Sequence, residues 1–86
     1  MPEISRFFGI VIKLYYNDHF PPHFHAEYGE YFAELSIDTL EILQGNLPQR
    51  VLGLVLEWAV IHRDELRMDW GRARLREPLL SIAPLE

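Results

Sequence analysis

Cysteine is absent from the 86 residues. That excludes disulfide staples and thiolate metal sites, and makes a reducing cytoplasm the expected compartment. Long apolar runs are missing as well: nothing approaches the ~20 residues of a membrane-spanning helix. The stretch Met1–Arg6 lacks the basic-then-apolar order of a signal peptide, so none is expected. The five glycines are scattered and form no phosphate-cradling loop. Ser5, Ser36 and Ser81 sit in no recognisable nucleophile turn. Nucleotide-dependent phosphoryl transfer and serine hydrolysis are therefore not expected. Basic charge is scarce in the first half, where only Arg6 and Lys13 face seven acidic residues. From Pro48 onward six arginines balance six acids. With a net charge of −5 the chain does not bind nucleic acid through its overall field, although a local basic stripe in the second half is compatible with it.

What is present is a folding composition. Hydrophobic residues make up 49% of the chain, enough for one domain over residues 1–86 with a modest core. Residues 7–16, "FFGIVIKLYY", are β-branched and aromatic and read as one central strand ending at the Asn17-Asp18 turn. A loop follows to Pro22. Pro21 is held extended by the next proline, and either X-Pro bond is a candidate for cis. Two short strands then flank Gly29-Glu30, a pair suited to a type II′ hairpin. That turn sets Tyr28 opposite Tyr31, Ala26 opposite Ala33 and Phe24 opposite Leu35 on an apolar face. Glu27–Phe32, His25–Glu34 and His23–Ser36 fall on the other face. A fourth strand is expected at about Leu40–Leu43, with Leu40 and Ile42 extending the apolar face. Pro48 marks a first helical turn, capped near Asn46 or Leu47. Val51, Val55, Trp58, Ala59, His62 and Leu66 recur at helical spacing and should pack on the sheet. The expected fold is α+β: a three- to four-stranded antiparallel meander (about residues 4–43) on one long C-terminal helix (about 48–75), kinked if Gly71 or the polar run after His62 breaks it. An extended tail, residues 76–86, is apolar enough to dock. Leu54, Leu56, Val60 and Ile61 lie off the core stripe, which suggests a homodimer through the helix or a tail folded over it.

Three histidines crowd into "NDHFPPHFHAEYGE". His23 and His25 point the same way on a strand, about 7 Å apart. With Glu34 across the hairpin they form a candidate acid–base set, the carboxylate fixing an imidazole tautomer. The bland alternative is a solvated face with a favourable cross-strand His–Glu pair. No cofactor and no metal is expected. Were a metal bound, His23, His25 and Glu27 would be its ligands. His62, on the core stripe, reads as a satisfied core histidine. Arg63, Arg67, Trp70 and Arg74 share one helical stripe, an arrangement that can hold phosphates and stack a base. Interleaved Asp64, Glu65 and Asp69 also fit an ordinary salt-bridged face.

The stretches "FGIVIKLYYNDHFPPHFHAEYGEY" and "LPQRVLGLVLEWAVIHRDEL", with a later "EPL" and final "PLE", resemble the bacterial domain of unknown function 4160 family. The proline-flanked His-x-His is the most specific element and the Trp-Ala-x-x-His helix the second. The resemblance implies a small cytoplasmic protein encoded beside a short protein of the 2442 family, in a toxin–antitoxin-like pair. It implies a cognate protein partner and permits RNA as a target, with no membrane. It supplies no catalytic residues. Two main readings follow: a module that binds a small cognate protein, or an RNA-acting toxin using His23, His25 and the arginine stripe. A mononuclear His-x-His metal protein is a third.

Overall fold

The structure, a computed structural model, describes residues 3–86. Met1 and Pro2, part of the stretch read above against a signal peptide, lie outside the described residues. Five strands form one antiparallel meander, β1 (Glu3–Phe7), β2 (Ile10–Lys13), β3 (His23–Tyr28), β4 (Tyr31–Ser36) and β5 (Ile42–Asn46), in the order β1-β2-β3-β4-β5. Two helices follow, α1 (Gln49–Ile61) and α2 (Arg63–Arg74). The α+β class is as expected; the sheet has one strand more than the upper expectation, and the helix is divided.

The extra strand comes from the segment read as one strand over residues 7–16. It turns back at Phe8-Gly9, where both residues have positive φ (51° and 80°), as the twist of a two-residue hairpin demands. Phe8 is an unusual occupant, since a β-carbon in that conformation is normally disfavoured. Its ring is left 60% exposed. Phe7 on β1, with Ile10 and Ile12 on β2, is buried in the core, and Ile4 joins them beside the register irregularity between Glu3 and Ser5, where strict alternation is broken.

The β3–β4 hairpin has the register expected of it, with all six pairs from His23↔Ser36 to Tyr28↔Tyr31. Gly29 alone of the two turn residues has positive φ, 57°, which fits a type II′ turn. The fourth expected strand starts later than placed. Ser36 Oγ accepts the Thr39 N–H, the Leu40 N–H reaches the Ser36 carbonyl, and Leu40 itself takes φ 63°. This wider turn consumes residues 37–41. Ile42 is left 39% exposed instead of facing the core. Gly45 lies inside β5 with φ 79°, and a β-carbon there would stand 2.3 Å from the Phe32 carbonyl oxygen, so glycine is required.

Pro48 precedes α1 as its N-cap, with no side-chain cap bond; the cap sits one to two residues later than expected. Val51, Val55, Trp58 and Ala59 of α1 and Leu66 of α2 are buried, so five of the six stripe positions meet the core. The sixth, His62, is the joint: its φ/ψ of −111°/22° ends α1, and its carbonyl accepts the Leu66 N–H to begin the next helix. Gly71, the other candidate break, continues α2 without interruption. Asp64 and Glu65 in the first turn and Arg72 and Arg74 in the last complement the α2 dipole. The helix ends with Arg76 at φ 60°, its N–H bonded to the Ala73 carbonyl and that of Glu77 to the Arg72 carbonyl. That is the Schellman pattern, with arginine where glycine is usual.

The tail docks as expected. The Ile82 N–H donates to the Ile4 carbonyl on the outer side of β1, and Trp58 Nε1 donates to the Ala83 carbonyl at 2.8 Å. Ile82 joins the core. Leu52, Leu54 and Leu56 also pack partly against that core, which accounts for much of the apolar excess on α1. Val60 and Ile61 remain more than 60% exposed.

Candidate metal centre

The loop between β2 and β3 carries the site. Asn17 turns the chain at φ 62°, and the Asp18 carboxylate accepts the backbone N–H of the next residue, His19, through Oδ1. That leaves Oδ2 free to face the start of β3. The Phe20–Pro21 peptide is cis. The Pro21 carbonyl oxygen lies 2.7 Å from His23 Nδ1. A carbonyl can only accept, so Nδ1 carries hydrogen, and the lone pair of a neutral ring sits on Nε2.

His23 Nε2 lies 2.9 Å from Asp18 Oδ2, and His25 Nε2 lies 3.0 Å from the same oxygen. One ligand atom from each of the three residues falls within 4.8 Å of the others. Glu34 Oε1 stands 3.6 Å from His23 Nε2. The cluster is enclosed: His23 is fully buried, and the Asp18, His25 and Glu34 side chains are each about 15% exposed or less. The Tyr15 ring meets His25 edge-on at 4.6 Å, and Trp70 of α2 lies 5.5 Å from the His23 ring. The His-x-His side was expected to point away from the helix. It does point away from α1, whose Trp58 covers Phe24 at 6.0 Å. The break at His62 lets α2 bring Trp70 to His23.

The electrostatics are lopsided. Burial raises the Asp18 carboxyl, but the His25 hydrogen bond, the charge on His23, the His19 N–H and the charge on His25 together outweigh it and hold the carboxyl below its usual range. His25 Nε2 is aligned for a hydrogen bond to Oδ2. His23 Nε2 is not: it is buried, 2.9 Å from a carboxylate oxygen, and has no hydrogen-bond partner. In the neutral ring this sets a lone pair beside an anion, an arrangement that calls for a cation between them. Two ligands at right angles, each about 2.1 Å from one ion, lie about 3.0 Å apart and each point about 45° off the line joining them. Of the two histidines, His23 shows this close approach without hydrogen-bond alignment.

The expected site residues are thus partly gathered and partly dispersed. His23 and His25 are together and Glu34 is at their edge, nearer His23 than the His25 it pairs with in the ladder. Glu27, expected as the carboxylate ligand, is instead bound to Lys13 of β2 at 3.0 Å, because Lys13 flanks it on the neighbouring strand. Asp18 takes that place. In the sequence Asp18 reads as a turn residue, and its spacing of five residues before His23 carries no strand or helix periodicity that links the two. His62 stays apart, bonded through Nδ1 to Glu65. The arginine stripe divides. Arg67 pairs with Asp38 and Asp64 at the surface. Arg63 buries an unpartnered Nε. Trp70 packs on His23 and Phe20, and Arg74 donates to the Asp18 carbonyl and lies 4.4 Å over the Phe20 ring.

A small α+β domain with a buried two-histidine, one-carboxylate cluster is the class that fold and site define. The chain belongs to the family described as "Domain of unknown function (DUF4160)", whose model matches residues 9–71. The match spans β2 to most of α2 and includes Asp18, His23, His25 and Trp70. No curated protein and no solved structure matches the chain. Among the described residues, no helix is long and apolar enough to cross a membrane.

Proposed function

We propose that this protein binds one divalent transition-metal ion through Asp18 Oδ2, His23 Nε2 and His25 Nε2, with Glu34 in reach as a further carboxylate. The observation that carries this reading is the buried, unpartnered His23 Nε2 beside Asp18 Oδ2. Its Nδ1–H anchored on a backbone carbonyl is the usual support for a metal-ligating histidine. Two imidazoles and a carboxylate suit zinc, iron(II) or manganese and leave coordination positions for water or a substrate oxygen. The chemistry such an ion supplies is Lewis-acid activation of that oxygen. Untagged protein, stripped with chelator, should take up one zinc ion per chain by calorimetric titration. Asp18→Asn and His25→Ala should each abolish that uptake while remaining folded by circular dichroism. Wild-type protein that takes up no zinc, iron(II) or manganese at millimolar concentration would sink the reading.

A second reading concerns partners. The expected small cognate protein, of the 2442 family in a two-gene pair, would seat in the groove of about 440 Å³ lined by Phe8, Tyr28, Arg50, Val51 and Leu54. Phe8 stands 60% exposed beside it. Co-expression with the neighbouring gene product checks this: Phe8→Asp should abolish copurification, and an unaffected complex would remove the groove from consideration.

A further inference from the structure

Beside the cluster lies a second feature that metal binding does not use. A groove of about 430 Å³ runs between the β2–β3 loop and the end of α2, lined by Asn17, Asp18, Arg74 and Arg76. In a chain of net charge −5, this groove is cationic. Neither Arg74 nor Arg76 has a carboxylate oxygen within 4 Å among the described residues, whereas Arg6, Arg67 and Arg72 are all paired with acids. The two guanidiniums are instead held by neutral groups. Arg74 Nη1 donates to the Asp18 carbonyl at 3.3 Å, and Arg76 Nη2 donates to Asn17 Oδ1 at 2.9 Å.

That Arg76–Asn17 contact joins two non-glycine residues in the left-handed region, at φ 60° and 62°. The Asp18 carboxylate brings one negative charge to this lining against the two guanidiniums, with its Oδ1 accepting the His19 N–H and its Oδ2 facing the histidines. Two exposed guanidiniums with spare N–H donors match the planar, multi-oxygen geometry of a phosphate. At the same end Phe20 is 62% exposed, with Arg74 over one face of its ring and Trp70 edge-on at 6.0 Å; the ring surface that these two leave is aromatic, of the kind on which a nucleobase stacks.

We infer that this groove is a nucleotide phosphate subsite: Arg74 and Arg76 hold the phosphate, and Phe20 takes the base. The inference rests on the metal-centre reading only for what lies on the far side of Asp18; phosphate capture itself needs no metal. A free nucleotide and a nucleotide unit of a single strand present the same chemistry, and the test separates them.

Chelator-stripped and zinc-loaded proteins are titrated with inorganic phosphate, adenosine monophosphate and a short single-stranded oligoadenylate, in low and physiological salt. Adenosine monophosphate is expected to bind both forms, more tightly than inorganic phosphate. The Arg74→Gln/Arg76→Gln pair should weaken it at least tenfold. Arg67→Gln, which removes one positive charge outside the groove, should leave it unchanged. Phe20→Ala should remove the preference over inorganic phosphate. Oligoadenylate binding far beyond that of the mononucleotide identifies a strand as the source; equal binding identifies the free nucleotide. Binding by stripped protein that takes up no metal upholds the subsite and overturns the metal reading. No binding by either form at millimolar ligand, or equal losses with Arg67→Gln, overturns the subsite.

Discussion

Phe24 and His23 are neighbours on β3, and both are fully buried. Each is covered by a tryptophan: Phe24 by Trp58 of α1 at 6.0 Å, His23 by Trp70 of α2 at 5.5 Å. Beyond that the two sides differ. On the Trp58 side the burial is apolar, and the one polar atom of the indole is satisfied by the Ala83 carbonyl. On the Trp70 side the burial encloses two imidazoles, two carboxylates and a nitrogen without a hydrogen-bond partner. The first side is built for stability. The second holds polar groups that an apolar packing of the same size would have avoided, and burial of unpaired polar atoms costs about 1–3 kcal/mol each. Their retention is what a ligand site requires and a structural core does not.

The largest effect should come from the Trp58 side. Trp58→Ala removes a fully buried indole and its hydrogen bond to the tail. We expect a loss of about 3–5 kcal/mol in urea unfolding, which leaves so small a domain barely folded. Whatever fraction stays folded should bind zinc with wild-type stoichiometry; a selective loss of zinc would erase the distinction between the two sides. Next comes Gly45→Ala, whose β-carbon would collide with the Phe32 carbonyl of the adjacent strand. Relief requires backbone movement at the sheet edge, and we expect about 1–3 kcal/mol of destabilisation in the same assay.

On the Trp70 side Asp18→Asn should cost less in stability and more in function. Because the Asp18 carboxyl is held below its ordinary range, its contribution is present above the unfolded-state pKa and is lost as pH falls through the folded one. The stability gap between wild type and Asp18→Asn, measured without metal, should therefore be present above the normal carboxylate range and close as pH falls below it. A gap that widened on acidification would show that the sign is wrong. The smallest effect is expected for Arg67→Ala. Its pairs with Asp38 and Asp64 are 3.4 Å long and solvent-exposed, so thermal unfolding should move by the equivalent of ~0.5 kcal/mol or less.

The same contrast explains what could be read from the sequence. The stripe from Val51 to Leu66 and the β3–β4 register depend on period and turn chemistry, which are local, and both were legible. The Phe8-Gly9 turn was hidden because phenylalanine is a rare residue at positive φ. Without a visible turn, residues 7–16 read as one apolar strand. The long turn after Ser36 was hidden for a similar reason, with Leu40 in the left-handed region. His23 and His25 were recognisable as a pair from strand alternation alone. Asp18 and Trp70 were not recognisable as their neighbours. Asp18 arrives through an irregular loop, and Trp70 arrives only because the helix bends at His62. Glu27 looked equivalent to Asp18 as a ligand until its cross-strand neighbour, Lys13, was in place.

The central claim is that a cation joins His23 and His25 to Asp18. Long-range proton–nitrogen correlation of the imidazoles tests it directly, on chelator-stripped protein before and after one equivalent of zinc. The account requires His23 to keep its Nδ1 hydrogen throughout, and the Nε2 signals of His23 and His25 to shift together at one equivalent. His19 and His62, the latter bonded to Glu65, should not move. Unchanged His23 and His25 signals at saturating zinc, with His23 protonated on both nitrogens at neutral pH, would contradict it: the cation beside Asp18 would then be a proton, and the cluster a buried ion pair.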